Sequence, residues 1–218
     1  MDILFIMELL KISFRKKLIL ILTLNLVMSV QVYEFQFTAA SSYRGRIDSL
    51  AMTDDGHIYA VGEHNPPYEL WIYKFRNNIR LWDILSPYDD YYSPTGITID
   101  SNGFLVAGYG RIFGPGGSIL NLVVLKYDQD GNLIWKYYDT TFDFTRPTRT
   151  IALSGEKYGI VGSSSNRASV SIISKASILW KVDLLNAYGS EFSGLEKISD
   201  HFIIAITGRR FWRIQWSW

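Results

Sequence analysis

Residues 100–138 read DSNGFLVAGYGRIFGPGGSILNLVVLKYDQDGNLIWKYY, and the order of signals in this stretch decides the fold. A polar turn at Asp100-Ser101-Asn102-Gly103 leads into an apolar run that reaches Gly108. A second apolar run, Asn121 to Tyr127, enters the Asp-Gly turn of residues 128–132 and leaves it as Leu133-Ile134-Trp135. Short runs rich in aliphatic and aromatic residues, bounded by Gly, Asp and Asn, read as strands. An Asp-Gly pair between two such runs marks a tight hairpin. The stretch predicts consecutive antiparallel strands.

The same grammar recurs on both sides. RIDSLAMTDDGHIYAVGE covers Arg46 to Glu63, TRTIALSGEKYGIVGSS covers Thr148 to Ser164, and SGLEKISDHFIIAITGR begins at Ser193. Each holds a strand, a polar turn, and a second strand ending in glycine: Gly62, Gly108, Gly162 and Gly208, at intervals of roughly 50 residues. The first three are followed by a second hairpin, ELWIYKFRNNIRLWDI, NLVVLKYDQDGNLIWKYY and SVSIISKASILWKVDL, in which Trp82, Trp135 and Trp180 hold one position of the last strand. One unit is therefore four antiparallel strands, a to d. Three units are complete, at about 46–84, 96–138 and 149–184, and a partial one spans 194–218. Four-stranded units at this period are the sequence signature of a β-propeller, whose blades bury their faces against one another around an axis. On this reading Trp fills the wedge between blades, and Gly lets the backbone turn at the strand end.

The GNLIW of residues 131–135 and the DSNGFLVAG of residues 100–108 resemble the propeller repeats of secreted bacterial and archaeal proteins, the type named after seven-bladed propellers. The resemblance covers nearly all of residues 46–208. It implies an architecture and leaves the chemistry open, because unrelated functions share this fold. The DGNLIW blades are also loosely similar to quinoprotein repeats, without their regular Trp-to-Gly docking pattern. Two closures stay open. VYEFQFTAASSY, residues 32–43, would complete the fourth blade and close a small ring; otherwise the chain is a shortened, open arc ending in RRFWRIQWSW.

Composition narrows the class. The chain has 218 residues, 48% of them apolar and 15% aromatic, enough for one substantial core and apt for half-buried sheet surfaces. It has no cysteine, which excludes disulfides and thiolate metal sites. Lys11, Arg15, Lys16 and Lys17 precede the apolar LILILTLNLVMSV of residues 18–30. A basic flank before a short apolar segment reads as a signal peptide or membrane anchor over residues 1–30, a hydrophobic helix that exports residues 31–218. Four of the 22 basic and two of the 21 acidic residues lie in that segment, so the remainder is close to neutral and nucleic acid is not an expected partner. Membrane contact is expected through the N-terminal segment alone.

Antiparallel order puts the a–b and c–d turns at one end of every unit and the b–c and d–a connections at the other. The latter read as long and varied, and loops on one face of a scaffold carry function disproportionately. They hold Tyr88, Asp89, Asp90, Tyr91, Tyr92, Arg111 and Arg146, aromatic and charged groups suited to stacking on sugar rings, bonding hydroxyls or anchoring a protein. The expected function is an exported, non-catalytic binding or surface-interaction module for an extracellular glycan or protein, without cofactor or metal. The alternatives are a propeller-type enzyme, quinone-dependent or polysaccharide-acting, and a truncated product of a larger propeller gene. Asp128-Gln129-Asp130-Gly131-Asn132 lacks the later bidentate acid of a calcium loop. His57, His64 and His201 have no metal-ligand spacing. Gly114–Ser118 lacks the Lys of a phosphate loop.

Overall fold

The computed structural model describes residues 45–64, 69–86, 92–114, 117–139, 146–164, 167–184, 192, 194–199, 202–207 and 210–215. The N-terminal segment, including the proposed hydrophobic helix, lies outside them. The described part is all-β and contains no helix.

Three four-stranded antiparallel sheets and one three-stranded sheet follow one another along the chain. The first holds β1 (Gly45–Met52), β2 (His57–His64), β3 (Glu69–Arg76) and β4 (Ile79–Leu85) in that order. The second holds β5 (Tyr92–Asp100), β6 (Gly103–Gly114), β7 (Gly117–Tyr127) and β8 (Leu133–Tyr138). The third holds β9 (Arg146–Leu153), β10 (Lys157–Ser164), β11 (Arg167–Ser174) and β12 (Ser177–Leu184). The fourth holds β13 (Gly194–Ser199), β14 (Phe202–Thr207) and β15 (Arg210–Gln215). Within each sheet, every hydrogen-bonded neighbour is a neighbour in sequence, the meander that the turn spacing predicts.

Strand alternation sends successive side chains into different seams. In β6, Phe104 and Val106 face the first sheet and share a core with Tyr59, Val61, Leu70 and Ile72. Leu105 and Ala107 face the third sheet and meet Tyr158, Ile160 and Ile173. Val161, Val170 and Ile172 meet Phe192, Leu195 and Ile214 of the following segment. Trp82, Trp135 and Trp180 pack, partly buried, against these three clusters in turn. The first strands of successive sheets run beside one another: β1 adjoins β5, β5 adjoins β9, and β9 adjoins β13.

The repeated glycines do a different job from the one the sequence suggests. Gly62, Gly108 and Gly162 sit inside their ladders, and none of them has positive φ. Each faces a β-bulge in the first strand of its sheet, where a Cβ would run into the carbonyl of Arg46, Ser93 or Arg146 respectively. Close approach of two backbones is the requirement here. Gly208 lies outside the described residues.

Candidate functional site

The polar turns cluster as expected at one end of each sheet. Asn77-Asn78 and Lys175-Ala176 both have positive φ at each residue, the geometry of a type I′ hairpin. The Asp128 turn closes on itself. Its carboxylate accepts the backbone N–H groups of Asp130 at 2.9 Å and Asn132 at 2.8 Å, and the Asn132 side-chain amide at 2.8 Å. Those bonds hold the Asp128 carboxyl below the usual range, that of the Asn132 side chain first. A carboxylate so engaged serves the hairpin. Nearby, Lys126 reaches both Asp100 oxygens at 2.8 Å, Asp100 also accepts the Tyr158 hydroxyl, and the three tie the second sheet to the third.

The other end differs from the sequence reading in one respect. The b–c connections are short: residues 65–68, 115–116 and 165–166 separate the strands they join. In the second unit, what reads as a loop is an extension of the hairpin, in which Arg111 pairs with Leu120, Ile112 with Ile119 and Gly114 with Gly117. Length at this end resides in the d–a connections around residues 87–91, 140–145 and 185–191.

Of the seven residues singled out from sequence, Tyr88, Asp89, Asp90 and Tyr91 lie outside the described residues. Arg111 belongs to β6, its backbone fixed in the extended hairpin. Arg146 opens β9 and is exposed. Tyr92 is the second member of a Tyr-Tyr pair that reads as loop, yet it opens β5 and is fully buried in the first seam. Its ring lies in the seam with Val61 and Phe104, so it packs and presents no surface.

A polar cluster that sequence reading passed over occupies the same end. Arg46 Nε is 2.6 Å from Asp48 Oδ1, its Nη2 is 3.0 Å from Glu63 Oε2, and Nη2 also donates to Ser93 Oγ of the second sheet at 3.3 Å. Glu63 is buried and Asp48 half-buried. Burial, reinforced by the charge of Glu63, raises the Asp48 carboxyl above its ordinary pKa despite Arg46. Register supplies the signal that sequence reading lacked. Arg46, Ser93 and Arg146 are equivalent, each opposite the residue after the ladder glycine: Glu63, Tyr109 and Ser163. The bulge residues are Asp48, Thr95 and Thr148. Thr95 and Thr148 donate their hydroxyls to the Ala107 and Val161 carbonyls at 3.3 and 3.2 Å. Laid over its sister units, the first has acids at two positions where the others have Thr, Tyr or Ser.

Among the described residues, no group of three or more His, Cys, Asp and Glu side chains could hold a metal ion, and no helix is long and apolar enough to cross a membrane. No family model matches the chain, and no curated protein matches it.

Proposed function

We propose that the four sheets are blades of a β-propeller and that the chain is an exported, non-catalytic module that binds an extracellular glycan or protein through the end bearing the d–a connections. The adjacency of β1, β5, β9 and β13 supports the radial arrangement, since the first strand of each blade would line the axis. Three wedge-filled seams of the same construction support it further.

One observation carries the functional reading. The d–a end combines the longest connections with exposed Arg146 and the Arg46 cluster, whereas the opposite end has tight turns in which Asp128 is bonded within its own turn and Asn102 and Gln129 are bonded to neighbouring turns. A specific site needs convergent polar groups on a rigid frame, and the first end supplies them. Tyr88, Asp89, Asp90, Tyr91, Arg111 and Arg146 are the proposed contact residues. Export rests on the basic-apolar pattern of residues 1–30.

A glycan array probed with the full chain tests this reading, with Tyr91→Ala and Arg146→Ala as comparisons. Binding that both substitutions weaken without shifting the melting temperature is the expected result. A ligand whose footprint maps to the turns at Asp54, Asn102 and Gly131 would overturn it, and so would turnover of the bound glycan.

A further inference from the structure

We propose that the Asp48–Glu63 pair is a recognition site for a protonated amino sugar, a proposal that rests on the glycan reading above and gives it a ligand class. The argument begins with charge. Two carboxylates share one guanidinium, and the Glu63 side chain is only 3% exposed. A net negative charge held away from water is costly unless a positive group meets it.

Hydrogen bonding points the same way. Glu63 Oε1 and Asp48 Oδ2 are both buried and accept no hydrogen bond, although Arg46 engages the other oxygen of each carboxylate. Asn121 Oδ1 is a third buried acceptor in this condition. Asn121 alternates with Val123, which faces the first seam, so it projects from the same face of the second sheet. Two carboxylates therefore face a single guanidinium, and one oxygen of each accepts nothing from it. A primary ammonium brings three N–H donors and one charge, whereas a hydroxyl brings one donor and none. On an amino sugar the ammonium sits beside ring hydroxyls, whose oxygens accept from the Arg46 guanidinium.

Access and placement agree with this. The Arg46 side chain is 57% exposed and the Asp48 side chain 15%, so the pair borders solvent on the Arg46 side. The acid pair is not something the bulge itself demands, because Thr95 and Thr148 serve the equivalent bulges with a hydroxyl bonded to a carbonyl. It is an addition confined to one of three equivalent positions.

The test is calorimetric titration of the full chain with the trisaccharide of glucosamine and, separately, of N-acetylglucosamine, which differ only in replacing ammonium by amide. Binding of the first without the second is expected. Glu63→Gln, which keeps the shape and removes the charge, should lower affinity by at least about tenfold with no loss of melting temperature. Equal binding of both sugars, or full affinity in Glu63→Gln, overturns the proposal. If neither sugar binds while other glycans bind in a manner sensitive to Arg146→Ala, the amino-sugar site fails and the module reading stands. If no glycan on the array binds, both fail on the glycan arm.

Discussion

Gly108 shows how strict a single position in this chain can be. A Cβ there would lie 2.9 Å from Pro94 Cα and 2.8 Å from Tyr92 Cζ, besides meeting the Ser93 carbonyl. Gly108→Ala should therefore cost about 1–3 kcal/mol in urea unfolding, the range for overpacking a site that cannot yield. The opposite change is expected at Ala176, a non-glycine residue with φ 62° in a hairpin turn. Ala176→Gly should stabilise by about 1 kcal/mol, because it relieves left-handed strain at a solvent-facing turn. Equal effects of the two substitutions in the same assay would show that neither contact nor φ governs these positions.

At the scale of elements, the fourth strands combine two opposed surfaces on adjacent residues. Trp135 packs into the second seam beside Tyr158, with ring centroids 6.1 Å apart, while Ile134 is the extra residue of the bulge opposite Lys126 and Tyr127 and is exposed. Trp135→Ala should destabilise by about 3 kcal/mol and Ile134→Lys by no more than about 0.5 kcal/mol, measured by chemical denaturation. Asp100 is the electrostatic counterpart. Burial alone would raise its pKa, but bonds from Lys126, Tyr158 and the Asn102 N–H outweigh that and leave it lowered. A carboxyl depressed in the folded state stabilises above its unfolded pKa, and that stability disappears as pH falls through the lowered folded value. Acid titration of the unfolding free energy should show this loss in the wild type. Asp100→Asn should abolish it and cost about 3–5 kcal/mol at neutral pH, because Lys126 is left buried without its partner.

For the whole molecule, protection from hydrogen exchange should follow how many faces of a sheet are covered. The second and third sheets each lie between two of the described clusters, whereas the first contributes to one. Leu50, Met52 and Leu85 of the first sheet are exposed at 56%, 46% and 47%, and β13 does not run along β1 as β5 does. In native-state exchange, amides of β6, β7, β10 and β11 should therefore be the slowest and those of β14 should open earlier. Uniform protection through β14 and β2 would instead show that both faces of the first sheet are covered.

Strand existence, order and turn placement were legible in the sequence because they depend on local periodicity and turn chemistry. The a–b and c–d turns, the meander order and the repeated packing position of the tryptophans all rest on such signals. The role of Gly62, Gly108 and Gly162 was not legible, because it depends on a bulge in a strand some fifteen residues away, and only pairing brings the two backbones together. Tyr92 and Arg111 read as loop residues because Tyr, Gly and Pro punctuate their surroundings, yet tertiary packing recruited Tyr92 into a seam and the ladder extended through Arg111. The Arg46–Asp48–Glu63 cluster eluded a linear reading for the same reason. Its members are ordinary charged residues in sequence, and folding alone buries Glu63 and sets two carboxylates against one guanidinium.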